Sequence, residues 1–143
     1  MMQEKDTEQL FSELKEDADV KAFLARNKDE QLPPISEYLR ELVKAKSLRT
    51  SEVINAAHLN RNYAYHIFSG EKPNPSRIKL LALALAMKLD LDETQHLLLC
   101  GGHSTLYPRN PWDSVIISAV EQGKSVSDTN LLLEQLGEKE MLG

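Results

Sequence analysis

A chain of 143 residues, 41% apolar and 27% charged with a net charge of −5, can bury the core of one domain, or of a small domain with extensions. Its one cysteine, Cys100, excludes an internal disulfide, and no apolar run approaches the length a bilayer requires. The opening Met-Met-Gln-Glu-Lys-Asp is not a signal peptide, so the expected setting is the reducing cytoplasm, with no membrane partner.

Residues 1–34 read as an acidic N-terminal helical extension. Asp6-Thr7-Glu8-Gln9 has the form of a capping box, with Asp6 as cap and Gln9 reaching back, and Leu10, Phe11 and Leu14 make the apolar side. A second helix from about Ala18 carries Val20, Phe23 and Leu24 and leaves through the polar run Asn27-Lys28-Asp29-Glu30. Pro33-Pro34 marks a boundary.

Residues 35–46 form a helix with Ile35, Tyr38, Leu39, Leu42 and Val43 on one stripe. A short helix is expected from about Ser51 to Ala57, then the turn His58-Leu59-Asn60, then a helix from Arg61 to Ser69. Asn60 is the natural cap, because its side-chain oxygen can accept from an orphan amide of the next turn. Gly70 supplies the left-handed residue that closes this helix. A long apolar helix runs from about Ser76 to Leu89, with Pro75 at its start, and reads as the central pillar.

The C-terminal third continues in helices. Asp92 and Gln95 read as the box opening a helix that ends at Gly101-Gly102. Asn110 and Pro111 open another, through about Glu121, with Trp112, Val115, Ile116, Ala119 and Val120 on one face. Ser125 opens the last, with Asp128 as box partner and Leu131, Leu132, Leu133 and Leu136 as its apolar residues; Gly137 closes it. The only β-branched cluster, Val115-Ile116-Ile117, sits inside a helical pattern, so the expected fold class is all-α. Residues 101–143 then form a C-terminal segment for packing or dimerisation.

Between Asn60 and Ser69 the apolar set Tyr63, Ala64, Ile67 and Phe68 is spaced three and four apart, leaving Asn60, Arg61, Asn62, Tyr65, His66 and Ser69 on the opposite face. Arg and Asn carry the donor and acceptor pairs that match guanine and adenine edges in a major groove. On Leu48, Val53, Leu59, Arg61, Tyr63, Ile67 and Gly70, followed by Pro75-Ser76 and the Leu80 to Leu89 run, the chain resembles the lambda-repressor-like (XRE/Cro-type) helix-turn-helix regulators. The likeness covers about residues 35–89. It implies a helix-turn-helix DNA-binding domain over residues 35–100, within a bundle carrying helical extensions at both ends. Asn60, Arg61, Asn62, Tyr65 and His66 would then face bases, and Thr50, Lys72, Arg77 and Lys79 would face phosphates. Three positions depart from the family pattern. Thr50 stands where a Gln is usual, Ile54 where an Ala is usual, and His58 where a Gly is common. Ala64 stands where Val or Ile is frequent, so a large-for-small swap at Ile54 and the reverse at Ala64 conserve packed volume.

Charge is distributed in a way that suits this reading. Residues 1–34 hold five basic and nine acidic side chains, residues 35–89 nine and four, and residues 90–143 three and nine. A basic segment between acidic ones is what a locally DNA-facing surface needs.

His96, Cys100 and His103 are metal-ligand types at a plausible helical pitch, but a zinc site wants a fourth ligand, and no metal or other cofactor is expected. There is no Gly-x-Ser-x-Gly, no phosphate-cradling glycine loop and no paired helix histidines flanking a glutamate, so no enzyme is expected. The expected partner is double-stranded DNA, bound by a regulator of transcription, with a homodimer as the form that reads paired half-sites. The competing reading is a helical protein–protein adaptor. In it the helix-turn-helix is retained only as a packing unit, and the acidic flanks and the Trp112 helix recognise another protein.

Overall fold

Capping residues decide where most of the helices begin. In the computed structural model, which describes residues 5–16 and 19–141, all regular structure among the described residues is helical. Contacts divide the chain into two units, Met1–Leu32 and Pro33–Gly143.

The first unit holds α1 (Thr7–Glu16), α2 (Val20–Arg26) and a 3₁₀ turn at Lys28–Glu30. The expected box at the start of α1 is present in both directions: the Gln9 amide donates to Asp6 Oδ1 at 2.7 Å and the Asp6 amide to Gln9 Oε1 at 2.9 Å. The second helix starts at Val20 because Asp19 caps it, accepting from the amides of Lys21 and Ala22; Ala18, its expected start, lies outside the described residues. Asn27 is buried, and it donates from Nδ2 to Glu13 Oε1 at 3.2 Å and to the Phe23 carbonyl at 3.1 Å. Lys5 reaches Glu13 at 2.9 Å. These hydrogen bonds, from Lys5 first and then Asn27, hold the Glu13 carboxyl below the usual carboxylate range.

The second unit is built from α3 (Ile35–Ala45), α4 (Thr50–Ala57), α5 (Arg61–Ser69), α6 (Arg77–Ala86), α7 (Leu91–Cys100), α8 (Pro111–Glu121) and α9 (Val126–Gln135). Residues 101–143 thus belong to the same unit as residues 35–100. The pillar is α6. Residues 80–85 are all buried, and the helix packs against α4, α7, α8 and α9. Fully burying one leucine is worth about 1.5–3 kcal/mol, and Leu80, Leu81, Leu83 and Leu85 are all buried here.

Two helix starts differ from expectation. Ser76, rather than Pro75, opens α6 as its cap, accepting from the Lys79 amide; Pro75 lies buried one residue before it, and the helix ends at Ala86 rather than Leu89. The box that opens α7 is Asp90 with Glu93, not Asp92 with Gln95. Gln95 is used elsewhere. Its Nε2 donates to the Leu106 carbonyl at 2.9 Å and its Oε1 accepts from the Leu106 amide at 2.7 Å, which pins the loop after α7 along that helix. Gly101 allows the end of α7 to close on α6, since a Cβ there would stand 2.6 Å from Cδ1 of the fully buried Leu80.

Polar contacts tie the pair α8–α9 to the rest of the unit, three of them reaching back to Arg77, Lys88 and His58. Arg77 at the start of α6 forms a two-toothed ion pair with Asp113, both N···O distances being 3.0 Å. Lys88, left-handed at φ 54°, donates to the Gly123 carbonyl at 2.7 Å. His58, left-handed at φ 59°, has Nε2 3.3 Å from Ser127 Oγ. A non-glycine residue pays about 1–2 kcal/mol for that backbone conformation. At His58 and Lys88 the side chain is therefore anchored where the backbone is strained.

Candidate nucleic-acid interface

Two short helices and a three-residue turn position the candidate face. Val53, Ile54 and Ala57 of α4 are buried, and so are Ala64, Ile67 and Phe68 of α5. Between them His58 ends α4 and Asn60 caps α5, accepting from the Tyr63 amide at 3.0 Å. Gly70, at φ 94°, closes α5, and its amide donates to the carbonyls of His66 and Ile67. With its inner face spent on packing, α5 turns Arg61, Asn62, Tyr65 and Ser69 outward. A nine-residue helix is roughly 13 Å long, enough to cross a groove.

The residues expected at the site fall into two groups. Arg61, Asn62, Tyr65 and Lys72 are exposed, and Thr50 is half-buried in the first turn of α4. Among these the one side-chain contact is loose, with the Arg61 guanidinium 5.9 Å from the centre of the Tyr65 ring. The others are partly committed. Asn60 Oδ1 uses one of its two lone pairs on the cap, and its amide nitrogen is left to donate outward. His66 Nε2 is 3.4 Å from a Glu71 carboxylate oxygen. Lys79 sits 3.9 Å above the centre of the Tyr63 ring, a cation–π contact that fixes its ammonium beside α5.

Arg77 departs most from expectation. Besides its fork on Asp113, its Nε donates to the Ser104 carbonyl at 2.9 Å and one Nη to the Thr105 carbonyl at 3.0 Å. Four of its five N–H donors are therefore engaged, and the guanidinium holds loop and helix together instead of standing ready for a phosphate. Conversely, Arg49 was not singled out by sequence reasoning. It is exposed, immediately before α4, at the helix end where backbone amides point outward. Its only sequence signal was being one more cation in the basic segment.

The cluster at the end of α7 is a packing cluster. The His96 ring meets Tyr38 edge-on at 4.7 Å between centres. His103 Nε2 lies 2.8 Å from the Pro75 carbonyl, which makes it the protonated nitrogen. Among the described residues, no group of three or more His, Cys, Asp or Glu side chains could hold a metal ion. Burial, reinforced by the Glu41 charge, pushes the Cys100 thiol up to about 11 from 9.0. At pH 8 the thiolate fraction is then roughly a hundredfold below that of a free cysteine, and alkylation by iodoacetamide should be slower in proportion. A rate equal to that of a cysteine peptide would show that α7 does not shield the sulfur. Burial, then Glu93, likewise raises Tyr38 to about 12 from 10.0. Both groups hold their protons more tightly folded than unfolded. The stability tied to them is intact below pH 9 and is lost as the pH rises through 9–11 for Cys100 and 10–12 for Tyr38.

Among the described residues no helix is long and apolar enough to cross a membrane. Comparison with known protein families, with characterised proteins and with solved structures finds no match to this chain.

Proposed function

We propose that residues 35–100 are a lambda-repressor-like helix-turn-helix domain, and that the protein is a cytoplasmic, sequence-specific regulator of transcription that binds double-stranded DNA. The observation that carries this reading is the outer face of α5. Arg61 and Asn62 are exposed at its first turn, directly after a tight turn, in a segment of net charge +5. In a major groove the Arg61 guanidinium suits O6 and N7 of guanine, and the Asn62 amide suits N6 and N7 of adenine. Tyr65 and His66 extend the base-facing row. Thr50, Lys72 and Lys79 flank it as phosphate contacts, with Arg49 added and Arg77 withdrawn to a structural role. Paired half-sites would be read by a homodimer, for which the exposed Leu131 of α9 and Leu136, the residue after that helix, offer apolar area.

Two substitutions test the assignment of roles. Arg61→Ala should cost about 1–3 kcal/mol on a cognate duplex and relax the preference at one base pair. Lys72→Ala should weaken all duplexes alike and reduce the salt slope by about one. Fluorescence anisotropy titrations at several salt concentrations measure both. Equal affinity of wild type and Arg61→Ala for every sequence would overturn the base-reading role.

A second reading, a protein–protein adaptor, draws on the commitments of Arg77 to Asp113 and of His66 to Glu71, and on the net charge of −5. In that case the same titrations would give no duplex binding at low salt.

A further inference from the structure

We infer that Tyr63 is a positioning residue for nucleic-acid binding: its ring holds the Lys79 ammonium in place for a backbone phosphate before any duplex arrives. That role rests on the DNA reading and falls to a residue on the packed side of α5. Tyr63 is half-buried against the core in the first turn of α5, where its amide donates to the cap oxygen, Asn60 Oδ1, at 3.0 Å. Lys79 comes from the first turn of α6, where its amide donates to the cap oxygen, Ser76 Oγ, at 3.3 Å. Both backbones are thus fixed by their caps, and between them the Lys79 Nζ stands 3.9 Å from the centre of the Tyr63 ring.

Packing alone does not ask for this pair. Ala64, Ile67 and Phe68 supply the buried side of α5, and an aliphatic side chain would fill the place of a half-buried ring. An aromatic face attracts an ammonium, and an aliphatic side chain does not. The ring leaves the positive charge intact, and among the described residues no carboxylate pairs with Lys79. The charge is held beside the helical turn that carries Arg61 and Asn62, so a phosphate gripped there would set how α5 enters a groove.

Ordering explains what the ring contributes. A lysine is a compact charge on a flexible four-carbon stem, and fixing such a side chain on binding costs affinity. Lys72 is exposed and has no side-chain partner among the described residues, so it bears that cost in full when it binds. Lys79 is already ordered in the free protein. Arg61, at 5.9 Å from the Tyr65 ring, lies near the limit of such contacts and is not held in this way.

The test uses the full-length protein and a mixed-sequence duplex at low salt, because phosphate contacts need no cognate site. In the free protein the ε-methylene protons of Lys79 should resonate upfield of those of Lys72, by the ring current of Tyr63. Tyr63→Phe should keep that shift and bind as wild type does. Tyr63→Leu should lose the shift and about threefold to tenfold in affinity, the range for ordering one long side chain. In a Lys79→Met background, Tyr63→Leu should change affinity no further, because the ring then has no ammonium to hold. Urea midpoints check that each variant is folded, and Tyr63→Met replaces Tyr63→Leu if the latter is not. Four results would overturn the inference. These are Lys79 protons at the position of those of Lys72, undiminished affinity in Tyr63→Leu, equal losses in Tyr63→Phe and Tyr63→Leu, or a Tyr63→Leu loss that persists with Lys79→Met, the mark of a packing role. Any of them, with wild type still binding, leaves the DNA reading standing. A wild-type protein that retains no duplex at low salt removes that reading and the role of Tyr63 together.

Discussion

Asp113→Ala is expected to lower folding stability by about 3–5 kcal/mol, the range for removing one member of a buried ion pair. Asp113 is 5% exposed, and its carboxylate accepts three hydrogen bonds, two from Arg77 at 3.0 Å and one from the Tyr107 amide at 2.9 Å. Truncation leaves the Arg77 guanidinium with only the Ser104 and Thr105 carbonyls, and the Tyr107 amide with no acceptor. It also detaches α8 from the first turn of α6, where Lys79 meets Tyr63 of α5. Urea unfolding of Asp113→Ala, Arg77→Ala and the double variant gives the coupling. The double variant should lose less than the two single losses added together, because the groups share one contact. A loss below about 1 kcal/mol in Asp113→Ala would place the pair with surface ion pairs, which contribute little.

Ile54→Ala is the second large effect expected, about 2–5 kcal/mol for a truncation inside a packed core. Ile54 is 1% exposed on α4 and Ala64 fully buried on the adjoining α5. Ala64→Val alone should cost about 1–3 kcal/mol by overpacking. If the large residue at 54 and the small one at 64 are a volume exchange, Ile54→Ala with Ala64→Val should recover part of the loss of Ile54→Ala. Additive losses, read from urea midpoints at constant slope, would separate the two positions and end the idea of compensation.

How much of this could be read from the residues depends on the range of the interaction. Asn60, Gly70, Asn110 and Ser125 act within four residues of their own position, and their helices begin or end where local chemistry puts them. The start of α7 was ambiguous on local grounds, because Asp90 with Glu93 and Asp92 with Gln95 both have box spacing. Competition resolves it, since Gln95 is taken in both directions by the backbone of Leu106. Arg77 could not be placed from its neighbourhood. A cation after a motif helix reads as a solvent-facing charge, and its partner Asp113 is 36 residues away, in the first turn of α8, where an acid is ordinary. The clasp of α8–α9 on His58 and Lys88 is invisible for the same reason. In the first unit the helices and their apolar residues were readable, but which side of each would be covered was not. The polar seam around Asn27 draws on Lys5, Glu13 and Phe23, brought together only by the fold.

Selection of duplexes from a random pool by the full-length protein at low salt tests the role of α5 most directly. If α5 reads bases, one short motif is enriched, its affinity falls steeply with salt, and Arg61→Ala broadens it at a single position. A pool that emerges unenriched, with no duplex retained even at the lowest salt, would contradict a DNA-reading α5.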